Sequence, residues 1–275
     1  MKKQSNFRAL MALVAMGVVF VSCTNVDNPY NTTTPDGKYV MVTDSSVSST
    51  SGATRVICWE HDAEGRFVKE IMTTYAPDGT IDRRVINYTY STGLITASET
   101  FNDEAPQIFY YRLNDKGLVE KYEEASGENV LNYEYNADGY LVAITGSLMD
   151  IDIDDTFVWK NGDIVSHHAD FGVVNYSMNN YEVNFPYLLP CYGYHETALS
   201  QMGYYGKATR HLMSKCVTEA QTGVKSGNDI STFDYVVRGG LVVEFAVTEV
   251  ATLTNGDESK NYSSAERHYL KWKKL

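Results

Sequence analysis

Six blocks of this chain carry one pattern: aromatic residues, a polar turn, a Gly, then an apolar residue. They are Trp59–Phe67, Tyr75–Ile81, Tyr88–Ile95, Tyr110–Val119, Tyr133–Leu141 and Phe157–Ile164. A Gly supplies the positive φ that a tight hairpin turn requires, and a neighbouring Asn or Asp tolerates the left-handed region. Aromatic and β-branched residues flank the turns, as strands prefer. Gly93, Gly117, Gly139 and Gly162 stand 24, 22 and 23 residues apart. One hairpin per repeat then gives strands of roughly nine residues, about 30 Å long. The expected fold is all-β: an antiparallel meander of long hairpins forming a curved sheet, either a partial barrel or a twisted open one.

The pattern breaks near residue 176. Residues 175–194 are rich in Asn, Tyr and Pro, and Glu196–Met202 is the best helix candidate, stopped by Gly203. Hairpin chemistry returns after Leu212, with strands at Cys216–Ala220, at Phe233–Val243 around a Gly239-Gly240 turn, at Glu244–Leu253 and at Glu266–Trp272. An open sheet must hide its edges, so the 176–212 segment is the expected cover or plug.

The chain begins with Lys2, Lys3 and Arg8, an apolar run from Ala9 to Val21, then Ser22-Cys23. The run is shorter than the roughly 20 residues needed to span a bilayer, so it reads as a cleavable export signal. Phe20-Val21-Ser22-Cys23 resembles the lipobox of bacterial lipoproteins, with Phe20 where Leu is usual. That resemblance implies acyl chains on Cys23 and cleavage after Ser22. Two or more chains, at about 0.8 kcal/mol per buried CH₂, give stable anchoring. The expected organisation is a signal peptide at 1–22, a lipidated Cys23 with a flexible tether to residue 37, and a single β-domain at 38–275. Loss of residues 1–22 removes three basic residues and no acidic ones, moving the formal charge from −12 to −15. Such a surface argues against nucleic acid and against electrostatic docking on anionic lipid. Neighbouring Arg83-Arg84 and Glu120-Lys121 place charge on both faces of their strands, which a membrane barrel does not tolerate.

Few groups suggest chemistry. Asp150, Asp152 and Asp154 share one face of a strand and are weak candidates for a Ca²⁺ site. The simpler account is an exposed face opposite Ile151 and Ile153. His167 and His168 are adjacent and point to opposite faces of a strand. Cys191 and His195 lack helical context and a third group. Lys207 has no phosphate-cradling glycines before it, and HExxH and GxSxG are absent. No catalytic residue, metal or cofactor is therefore expected. Besides Cys23, the cysteines are Cys58, Cys191 and Cys216; a Cys191–Cys216 bridge is possible. The 21 Tyr and 3 Trp sit mostly at repeat positions, which favours a role in the sheet over a sugar-stacking row.

The lipobox, the Tyr133-x-Tyr135-Asn136-x-Asp138-Gly139-Tyr140-Leu141 hairpin, the block from Leu199 through Gly203-Tyr204-Tyr205-Gly206-Lys207 to His211-Leu212, and the Tyr235–Val242 hairpin together resemble a family. It comprises lipoproteins of unknown function with a porin-like fold, found in Gram-negative gut commensals. The hairpins are also similar to tyrosine-aspartate repeats. The resemblance covers residues 38–275 and implies a porin-like sheet anchored by lipid to the outer membrane, on its periplasmic or cell-surface face. It lends no activity. The expected function is a non-enzymatic binding module for a glycan or an envelope protein. The alternatives are an assembly component of a surface complex and, last, a hydrolase.

Overall fold

A computed structural model describes residues 39–170, 172–182, 196–222, 225–255 and 258–275. The first eight strands are β1 (Tyr39–Ser48), β2 (Thr54–His61), β3 (Phe67–Tyr75), β4 (Ile81–Ser91), β5 (Leu94–Phe101), β6 (Gln107–Leu113), β7 (Val119–Glu124) and β8 (Val130–Tyr135). They are followed by β9 (Leu141–Leu148), β10 (Ile151–Lys160), β11 (Asp163–Ala169) and β12 (Gly172–Glu182). A short helix α1 (Glu196–Gln201) precedes β13 (His211–Thr222), β14 (Lys225–Arg238), β15 (Leu241–Asn255) and β16 (Glu258–Lys274).

Each strand pairs antiparallel with its sequence neighbour, and β1 pairs with β16, so the sheet is a closed barrel. The meander and the short helix are as the sequence implies. Closure goes beyond the partial or open sheet expected from it. It rests on a ladder from Tyr39↔Lys274 to Ser48↔Glu266, whose partners stand too far apart in the chain for any local pattern to reveal. Closing the sheet satisfies the edge groups of β1 and of β16 from Glu266 on, which an open sheet would have to hide.

Residues alternate between the two surfaces of the wall. On β4, Ile86 and Tyr88 are buried inside while Arg83, Asn87 and Thr89 face out. Arg84 faces in, and its guanidinium donates to the buried Glu70 carboxylate at 3.1 Å. The exterior carries ion pairs: Lys69–Glu60 at 3.5 Å, Arg112–Glu123 at 2.6 Å and Arg267–Glu244 at 2.5 Å. Basic residues at bilayer depth cost about 2–4 kcal/mol each, so this outer wall suits water and not hydrocarbon.

Five of the six repeated blocks turn at one rim, around Gly65, Gly93, Gly117, Gly139 and Gly162; the Gly79 turn lies at the opposite rim. The first rim is bound by the segment after α1. Tyr204 O accepts from Val119 N, Lys207 N donates to Gly139 O, and Arg210 N donates to Gly162 O, each at 2.8–2.9 Å. Tyr204 stacks on Tyr90 with centroids 6.2 Å apart, and the fully buried Tyr205 tilts against Tyr133 at 5.1 Å. Gly206 lies so close to Gly139 O and the Tyr135 ring that a Cβ would overlap the carbonyl. Of the 176–212 segment expected as a cover, residues 196–210 form a strap over one rim, while the strand pattern runs on in β12 to Glu182 and the edges it was to hide are paired with each other. Residues 183–195 lie outside the described residues.

Candidate functional site

The barrel interior has two regions of different chemistry. Beneath the strap the inward faces of β4–β9 are apolar and closed, and only toward the far rim do Arg84 and Glu99 bring charge to them. Ile86, Ile95, Tyr111, Tyr122, Leu131 and Ile144 are fully buried there, packed with Ala198, Leu199 and Tyr205 of the strap. All three indoles are tied inside: Trp59 donates to Glu70 at 2.8 Å, Trp159 to Leu141 O at 2.6 Å and Trp272 to Val242 O at 2.7 Å. The aromatic repeat therefore fills a core.

The inward faces of β13–β16, β1 and β2 are apolar near the strapped rim, where Met41, Trp59, Phe245 and Leu270 are buried, and turn polar toward the far rim. Asp44 and His268 are buried, and the imidazole Nδ1 stands 3.0 Å from both carboxylate oxygens. The His268 ring stacks on Phe245 at 4.1 Å and 8°. Its Nε2 stands 3.6 Å from Glu266, which in turn accepts from Arg55 at 3.1 Å. Further toward the far rim Ser264 donates to Glu249 at 2.7 Å. Ser231 is cross-strand from Glu249, and Asp229 from Ala251, so Asp229 and Glu249 are diagonal neighbours on the inner surface. Arg55, Asp229, Ser231 and Ser264 all keep partial exposure although they face inward. An inward side chain of a closed barrel meets solvent only where water enters, so this wall lines a wet mouth.

A second Asp–His pair sits across the barrel. His167 Nε2 meets Asp155 at 2.6 Å, both buried, and the ring stacks on Phe157 at 4.6 Å. His–Phe neighbours recur at His61–Phe67, centroids 4.5 Å apart. Burial, and then the Lys273 charge, hold His61 below the usual histidine range. The recurrence marks these pairs as parts of the sheet's construction.

Burial, then hydrogen bonding to Glu249 and its charge, push Asp229 up from 3.8 to about 7. A carboxyl whose folded value is raised holds its proton more tightly than the unfolded chain does. The fold then loses stability as pH rises through that window. The shift is about 4 kcal/mol at face value, but solvent screening at this half-exposed group reduces it to about 1 kcal/mol. Asp229→Asn is accordingly expected to stabilise the protein by about 1 kcal/mol at pH 8 and by almost nothing at pH 4 in urea titrations. An equal effect at the two pH values would show that Asp229 does not hold its proton more tightly in the fold than in the unfolded chain. Burial also raises the Cys216 thiol, opposite to what a nucleophile needs.

Among the residues singled out by sequence, Asp152 and Asp154 face outward opposite Ser147 and Thr145, while Asp150 occupies a left-handed turn position at φ 62°. They therefore do not converge, and no group of three metal-binding side chains occurs among the described residues. His167 and His168 do point to opposite surfaces, the first buried and the second exposed. Cys58 and Cys216 are free thiols. Cys23, Cys191 and His195 lie outside the described residues. Sequence reading missed the polar inner wall, because its members are scattered from Asp44 to His268. The alternation Asp229-x-Ser231 opposite Glu249 was the one local signal available.

A family profile described as "Domain of unknown function (DUF4595) with porin-like fold" matches residues 59–238. A porin-like protein from Bacteroides uniformis ATCC 8492 superposes with a TM-score of 0.60 at 16% identity, covering 87% of this chain and 100% of that one. A porin-like protein from Bacteroides vulgatus ATCC 8482 gives 0.52 at 13% identity, covering 86% and 99%. At those identities the likeness concerns the fold alone. No curated protein matches.

Proposed function

Because the chain belongs to the family described as a domain of unknown function (DUF4595) with porin-like fold, we propose that it is a lipid-anchored, non-enzymatic binding module of the bacterial envelope. Its ligand is a glycan or a protein, taken at the far rim. One observation carries this reading. The chain enters β1 at Tyr39, opposite Lys274, at the strapped rim, while the polar wall opens at the other. An acyl anchor on Cys23 would then join the domain at its closed end and leave the wet mouth on the side away from the attachment. Acyl chains supply the membrane affinity, so the charged outer wall never has to enter the bilayer.

Cys23→Ala is expected to move the protein from the membrane fraction to the soluble fraction when cells are fractionated. Persistent membrane association would sink the anchor. A glycan array probed with residues 24–275 separates the ligand classes. Saturable binding that is lost on changing exposed Tyr262 supports a glycan at this rim. Turnover of a glycan would overturn the non-enzymatic reading. Absence of binding with co-purification of envelope proteins would favour an assembly role.

A further inference from the structure

β16 outruns its partner on one side. Its ladder with β15 continues to Asn255↔Glu258, whereas its ladder with β1 stops at Ser48↔Glu266. Among the described residues, Glu258–Ala265 is therefore paired on one side only and presents a row of unused backbone N–H and C=O groups. The pairing with β15 is continuous along this stretch, without a bulge. The stretch holds no proline and one lysine, Lys260. Natural edges are usually blunted by bulges, prolines or inward charges, and this one keeps a straight, pairable form. Lys260, Asn261, Tyr262 and Ser263 are all exposed.

We infer that the free edge of β16, from Lys260 to Ala265, is a strand-addition site for an extended peptide segment of a partner protein carrying Lys or Arg at alternate positions. The inference deepens the binding-module proposal and rests on it. An added strand would run where β1 would continue beyond Ser48. Its inward side chains would stand beside Tyr262 and Ser264. Ser264 already donates to Glu249, one strand further on. With strands about 4.8 Å apart, the backbone of the added strand lies about 10 Å from β15. A lysine or arginine side chain closes that distance to Glu249. Backbone pairing supplies affinity, and the alternate side chains supply selectivity. The Glu249 side chain favours a cationic partner. The formal charge of −12 disfavours a second copy of the same chain.

The probe is a fluorescein-labelled peptide of about nine residues with Lys alternating with Thr and Val, titrated into residues 24–275. Two N-methylated versions keep every charge and each block one backbone edge. Blocking the edge that faces β16 is expected to weaken binding by about tenfold, and blocking the other edge by no more than about twofold. Replacing Lys by Glu in the peptide abolishes binding. Hydrogen exchange at Lys260–Ala265 slows when peptide is bound. Equal behaviour of the two N-methylated peptides means adsorption by charge alone and overturns the proposal. So does a dimer in the free protein whose Lys260–Ala265 amides are already protected. Glycan binding with an unprotected edge sinks the strand-addition site and leaves the binding module standing. Absence of both kinds of binding sinks the two together.

Discussion

Gly146→Ala is expected to destabilise the protein by about 3 kcal/mol or more, read as a fall in the urea midpoint at unchanged slope. Gly146 sits in β9 at φ 140°, where side-chain-bearing residues are strained. It faces Leu131 on β8 and Ile153 on β10. A Cβ there would overlap the Val130 carbonyl oxygen and press on the Leu131 Cα at 3.1 Å. The obstacle is backbone on a paired strand, so it cannot rotate away as a side chain would. The strained backbone costs about 1–3 kcal/mol and the overlap a similar amount. An effect below about 1 kcal/mol would mean that β8 and β9 are further apart than described.

Asp44→Ala is expected to cost about 3 kcal/mol, because it breaks a buried Asp–His hydrogen bond at the seam where the barrel closes. Asp44 belongs to β1 and His268 to β16, with 1% and 5% of their surfaces exposed. Removal of the carboxylate leaves an imidazole stacked on Phe245 with its anchor gone, and a void where the side chain was. Asp44→Asn keeps one acceptor oxygen and is expected to cost about 1 kcal/mol. Hydrogen exchange should locate the loss, with β1 and β16 amides opening before those of β4–β9. Uniform loss across the barrel would show that the pair is not specific to the seam.

The hairpins were legible because their information is local. Each is written in about nine residues, and turn chemistry at Gly93, Gly117, Gly139 and Gly162 fixes both strands. The helix at Glu196–Gln201 was legible for the same reason, as was its stop at Gly203. The strand around Tyr176 was not, since a run of Asn and Tyr carries no alternation to read. Closure was illegible because Tyr39 and Lys274 are partners only in space. The inner wall was hidden for a related reason. A polar residue on an alternating strand reads as solvent-facing, and Asp44, Glu70 and Asp155 follow that pattern while pointing inside. The Asp152–Asp154 face was read correctly as an exposed one.

The joining of β1 to β16 also sets a timetable. The first described strand has as its partner the last described one, so β1 keeps one row of bare hydrogen-bonding groups until β16 is available. Loops this long cost more entropy to close than hairpins do, and folds that depend on them form slowly. A molecule halted before residue 266 would retain two raw edges, each an invitation to unrelated strands. The barrel closes only once β16 is available to pair with β1. The seam residues Asp44 and His268 act as the latch that records it.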